Sequence, residues 1–136
     1  MNSLTALRST TDEQPQEGLR ILVVDDQLLY AEAISVLLGL QDGLEVVGIA
    51  GDGREGIEQA FALRPDVVLM DIEMPRLDGI SATRWIRKNL TGTRVLVMTA
   101  LTGDEHVEES LRAGASACIK KFSSAGDLVT AIERLA

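Results

Sequence analysis

The sequence predicts an α/β fold, a doubly wound parallel sheet of five strands in the order 2-1-3-4-5. Three observations carry that prediction. Short runs rich in Val, Ile and Leu alternate with segments of helical period along the chain, which calls for right-handed crossovers and helices on both sheet faces. Two of those runs, Ile21-Leu22-Val23-Val24 and Val67-Val68-Leu69-Met70, are apolar throughout, as strands buried on both faces are. Both run straight into acids, Asp25-Asp26 and Asp71. In that strand order the first and third strands are neighbours at the switch point, where open α/β sheets bind ligands at their carboxyl ends. The three aspartates are therefore expected to meet.

The elements follow in order. Residues 1–18 are polar with little apolar periodicity, and read as a flexible leader before a single domain over 19–136. The first strand is expected over 19–24. A helix over 27–38 places Ile34, Leu37 and Leu38 at core spacing, and Gly39 with Asp42-Gly43 ends it. A second strand spans 44–50. The second helix, 54–63, carries Ile57, Ala60 and Phe61 at i, i+3 and i+4. The third strand, 67–70, runs into a loop marked by Pro75 and Asp78-Gly79. A helix over 80–89, a strand over 94–99, a helix over 104–113, a strand over 117–120 and a helix over 124–135 complete the pattern.

Composition narrows the function. A chain of 136 residues buries roughly two-thirds of its unfolded surface. It is 46% hydrophobic but only 3% aromatic, so the core is aliphatic. A net charge of −8 argues against direct nucleic-acid binding and suits cations or basic patches on proteins. The lone Cys118 can form no internal disulfide, and no apolar run approaches membrane-spanning length. The reading is a cytoplasmic chain with no membrane contact.

Three carboxylates within a few ångströms repel one another unless protons or a cation neutralise them. Magnesium takes such oxygen ligands together with phosphate and water, and one carboxylate can then act as a nucleophile in phosphoryl transfer. Either Asp25 or Asp26 alone would more simply cap the first helix. The pair together with Asp71 at the next strand end favours the site. Thr99 closes the fourth strand with a hydroxyl, and Lys120 or Lys121 closes the fifth with a cation.

At these residues the chain resembles the receiver domains of two-component response regulators, which share the flavodoxin-like winding. The resemblance rests on Val24-Asp25-Asp26, Asp71-Ile72-Glu73-Met74-Pro75 with Asp78-Gly79, Val97-Met98-Thr99-Ala100, and Ala113-Gly114-Ala115 leading to Lys121. It implies that Asp71 is the phospho-acceptor for a sensor histidine kinase. It also implies that Asp26, Asp71 and the backbone carbonyl of Glu73 hold Mg2+ with Asp25 in support, and that Thr99 and Lys121 contact the phosphoryl oxygens. The family's spacing from Thr99 selects Lys121 over Lys120. Such a domain is a signalling acceptor and not an enzyme.

Leu44-Glu45-Val46-Val47-Gly48 and Arg64-Pro65-Asp66-Val67-Val68 are similar to the NarL-type subfamily. That similarity implies a C-terminal helix-turn-helix output domain regulating transcription, absent from this chain. A phosphorylation-independent interaction module, a pseudo-receiver or stand-alone receiver, is the alternative. Position 118, where the family often has a switching aromatic, is Cys, so ordering of the loop 100–103 about Gly103 is expected to carry the signal. Phe122 replaces the family's frequent proline, and Gln27 is expected to bear little on the chemistry. Few charges on the first helix, beside Leu28, Leu29, Ala31, Ala33 and Ser35, predict a homodimer.

Two motifs are set aside. Gly51-Asp52-Gly53-Arg54-Glu55-Gly56 matches a dinucleotide fingerprint, but it follows the second strand and its acids would repel a pyrophosphate. It reads as a tight turn into the second helix. His106 lies among acids with no second His or Cys at metal spacing, and reads as part of a solvated helix face.

Overall fold

Continuous apolar runs along short strands, and apolar stripes along the helices between them, give ten elements. They are β1 (Leu19–Val24), α1 (Leu28–Gly39), β2 (Leu44–Ala50), α2 (Gly53–Leu63), β3 (Val67–Asp71), α3 (Gly79–Asn89), β4 (Arg94–Thr99), α4 (Asp104–Arg112), β5 (Ala117–Lys120) and α5 (Ala125–Arg134). The computed structural model describes residues 18–74, 77–100 and 104–135, without the side chains of residues 104 and 105. The five strands form one parallel sheet in the order β2-β1-β3-β4-β5, as the sequence predicts.

The period of two divides each strand between two cores. Ile21, Val23, Leu69 and Met98 pack with Ala31, Ile34 and Leu38 of α1 and with Leu128 and Ile132 of α5. Leu22, Val24, Met70 and Val97 face the other way, onto Ala60 of α2 and Ala82 and Ile86 of α3. Register then sets the level of the strand ends. Val24 pairs with Met70, so Asp25 and Asp71 leave neighbouring strands at the same height. Asp71 pairs with Met98 and Thr99 with Lys120, which puts Thr99 one residue and Lys121 two residues further along the same edge.

Side chains start three of the helices. Asp52 accepts from Glu55 N, Asp78 from Ser81 N and Ser124 from Asp127 N, each satisfying a first-turn N–H. The Gly51–Gly56 stretch is thus a helix start, as expected. Gly79 is pressed against the end of β3: a Cβ there would lie 2.2 Å from the Asp71 carbonyl oxygen. Only glycine lets α3 begin so close to that strand end.

Two expected core residues face outward. Leu37 is 44% exposed because Ile34 and Leu38 fill the inward stripe of α1, and Phe61 is 57% exposed because Ala60 takes the inward position in α2. The Phe61 ring instead stacks on the Arg64 guanidinium, 5.1 Å from its centroid. Ala31, expected on the outer face of α1, is fully buried. The expected leader lies outside the described residues apart from Gly18, as do Pro75 and residues 101–103 with the hinge expected at Gly103.

Candidate functional site

The acids predicted to converge do so. One carboxylate oxygen from each of Asp25, Asp26 and Asp71 lies within 4.8 Å of the others. Asp25 and Asp71 are buried at the ends of β1 and β3, while Asp26 is exposed. Neither Asp25 nor Asp26 caps α1 in the ordinary way. The N-cap position is Gln27, whose side chain makes no capping bond, and Asp25 Oδ1 instead accepts from Gln27 N at 2.8 Å. Asp71 Oδ1 accepts from Glu73 N at 3.1 Å in the same manner. Each acid is thereby fixed by its own loop.

Lys121 is the cation of the site, as the spacing argument selected. Its Nζ donates to Asp25 Oδ1 and to Asp71 Oδ2, both at 3.0 Å, and lies 2.9 Å from Asp25 Oδ2. Lys120 is exposed on the strand before it. Burial works to lower the Lys121 pKa, but the bonds to Asp25 and Asp71 outweigh it and hold the ammonium above its ordinary value. Thr99 is buried at the end of β4, and its carbonyl accepts from Lys121 N at 2.9 Å, tying the two strand ends together.

Burial dominates Asp71 and pushes its pKa up to about 6. The Glu73 N–H and Lys121 pull it down, and the neighbouring Asp25 adds to the rise. A carboxylate held there is still mostly ionised at pH 7, yet unstable enough to favour neutralisation. One lysine cannot balance three acids. Asp25 Oδ2 is buried and already faces the Lys121 ammonium at 2.9 Å, so the one cation is shared between Asp25 and Asp71 while Asp26 adds a third charge. Hard oxygen ligands with an uncompensated charge suit a small divalent cation, so the residues fit Mg2+.

Sequence reasoning missed three neighbours of the lysine. Gln27, expected to matter little, places Oε1 within hydrogen-bond distance of Lys121 Nζ. Tyr30 and Phe122 flank the same ammonium, 5.2 and 5.4 Å from their ring centroids. A Lys-Phe step after a strand end was the available signal, since aromatics are so scarce in this chain. Cys118 lies on β5 half-buried, its thiol pushed up by burial against a bond with Ser110. His106 lines a cleft of about 260 Å³ with Glu73, Asp78, Arg84 and Glu109.

Comparison with known proteins follows the same residues. Residues 21–133 match the family model described as response regulator receiver domain. LiaR, a transcriptional regulatory protein of Bacillus subtilis, is 37% identical over 114 residues, covering 84% of this chain and 54% of LiaR. The response regulator VraR of Staphylococcus aureus is 38% identical over 116 residues, covering 85% of this chain and 56% of VraR. The chain therefore spans about half the length of the curated relatives it matches. The receiver domain of NarL from Mycobacterium tuberculosis superposes with a TM-score of 0.84 at 34% identity, covering 88% of this chain and 96% of that one.

Proposed function

Because the chain belongs to the response regulator receiver domain family, with NarL-type relatives, we propose that Asp71 takes a phosphoryl group from a phosphohistidine of a sensor histidine kinase. A carboxylate oxygen of Asp71 forms the new bond to phosphorus as the phosphorus–nitrogen bond of the donor breaks. The imidazole leaves with that electron pair and is neutral after proton exchange with water. One observation carries the reading: Asp71 is buried at a strand end beside two further acids and is already hydrogen-bonded to Lys121 at 3.0 Å.

The residues divide the work. Lys121 carries positive charge to the phosphoryl oxygens, and the Thr99 hydroxyl donates to them. Mg2+ bound by Asp26, Asp71 and the Glu73 carbonyl, with Asp25 in support, would supply further charge against the transferring oxygens. Asp25 and Gly79 hold the pocket in shape, one through Lys121 and the other by letting α3 abut the end of β3. The domain is an acceptor that switches, not a turnover enzyme.

The output of that switch is a helix-turn-helix domain regulating transcription, carried in the half of the regulator that this chain does not span. The exposed Leu28, Leu29, Val36 and Leu40 on and beside α1 support homodimerisation. Among the described residues no helix is long and apolar enough to cross a membrane, and the domain is taken to work in the cytoplasm. A phosphorylation-independent interaction module draws on one observation, that Lys121 already bridges two of the acids. Incubation with acetyl phosphate or phosphoramidate and Mg2+ separates the readings by intact mass. One phosphoryl group per chain is expected; no uptake from either donor would overturn the acceptor role.

A further inference from the structure

Lys121 has partners that its acids do not account for. Its ammonium lies over the rings of Tyr30 and Phe122, and the rings meet edge to face at 4.9 Å and 68°. That is an arrangement ring quadrupoles favour. The Phe122 N–H donates to the Tyr30 hydroxyl at 3.3 Å, so the pair is also tied through the backbone. Tyr30 comes from the first turns of α1 and Phe122 from the turn after β5. The lysine is enclosed from both sides.

Phe122 is otherwise hard to explain. Its φ is 69°, in the left-handed region that bulky residues avoid. It is also 61% exposed, so burial of the ring does not offset that strain. The conformation makes sense if its use is to turn the ring back over Lys121. We propose that Tyr30 and Phe122 form an aromatic cap holding the Lys121 ammonium against Asp25 and Asp71, which makes both of them positioning residues for the lysine. A cation over a ring face is held more strongly as water is excluded, and the Lys121 side chain is only 4% exposed. Without the rings, the ammonium at the end of its flexible four-carbon stem is held by its bonds to Asp25, Asp71 and Gln27 alone. For the lysine itself the proposal stands on this geometry; for phosphoryl uptake it rests on the acceptor reading of Asp71.

The test is a proton–nitrogen spectrum of the lysine ammonium groups of the full chain in Mg2+-free buffer, with Lys121 assigned through Lys121→Ala. The wild-type signal is expected to be shifted upfield by ring currents and protected from exchange. Tyr30→Leu and Phe122→Leu keep apolar bulk without a ring face, and each should move it part of the way back to the ordinary lysine position and broaden it. Tyr30→Phe should leave it upfield. Phe122→Gly suits the left-handed backbone, so a purely structural role predicts an unchanged signal and the cap predicts a partial return downfield. An unshifted wild-type signal, or one as far upfield in both leucine variants as in the wild type, would overturn the cap. In the same samples, uptake from acetyl phosphate with saturating Mg2+ should fall by about threefold to tenfold in the leucine variants, the range one lost cation–ring contact allows. No uptake by the wild type would overturn the acceptor reading and leave the cap standing. Wild-type uptake matched by both leucine variants would overturn the cap as a positioning device.

Discussion

Asp25 and Asp71 end neighbouring parallel strands, and both fold a carboxylate oxygen back onto the N–H two residues on, at 2.8 and 3.1 Å. Their surroundings differ. Lys121 Nζ lies within 3.0 Å of both oxygens of Asp25 but holds Asp71 through Oδ2. Asp25 stands between β2 and β3, with its N–H on the Ala50 carbonyl. Asp71 stands between β1 and β4, one step from the strand end that carries Thr99. Local conformation thus builds two similar carboxylates that share one ammonium, and sheet order places only Asp71 on a strand next to the one that ends in Thr99. Asp25 is a brace in this account, and Asp71 the acceptor.

Exchanging the two acids tests that division most severely. Asp71→Asn should abolish uptake from acetyl phosphate, because an amide cannot serve as the nucleophile. Asp25→Asn should still take up phosphoryl, but at an Mg2+ requirement about tenfold higher, as losing a supporting carboxylate costs. A variant at Asp25 that loses uptake at every Mg2+ concentration would break the comparison.

Asp71 also ties stability to pH. Burial raises the Asp71 pKa from 3.8 to about 6, so the folded chain binds more protons than the unfolded chain between those values. Stability from this group is therefore present at low pH, falls as pH rises from about 4 to 6, and is gone at pH 7. A rise of that size corresponds to about 3 kcal/mol. Urea unfolding in Mg2+-free buffer should show Asp71→Asn gaining on the wild type by that amount between pH 4 and pH 7. A gap that does not change with pH would contradict the burial argument.

Smaller effects sharpen the comparison at the neighbouring strands. Thr99→Ala should weaken phosphorylation-induced amide shifts severalfold at matched occupancy, since one charge-assisted hydrogen bond is comparable to the bias needed between two states. Cys118→Ala should change them little, because a half-buried thiol is too small to act as a lever. Equal losses in both variants would place Cys118 in the relay.

The acids were legible because a strand's end is legible: an apolar run stops and a charge begins, and parallel winding fixes which ends meet. Lys121 was legible only through its spacing from Thr99, since composition offers Lys120 equally. Gln27, Tyr30 and Phe122 were not, because their placement depends on how α1 rotates against the sheet and on a positive φ at Phe122 that its residue type does not announce. Leu37 and Phe61 were misassigned for a related reason. Helical spacing places several residues near the apolar stripe, and only the packed sheet decides which of them is inside.

The central claim is that Asp71, and not its structural twin, carries the phosphoryl group. After uptake from acetyl phosphate with Mg2+, borohydride reduces an aspartyl phosphate to homoserine, and peptide mass spectrometry reads the position. The account predicts homoserine at residue 71 alone; homoserine at residue 25 or 26 would contradict it.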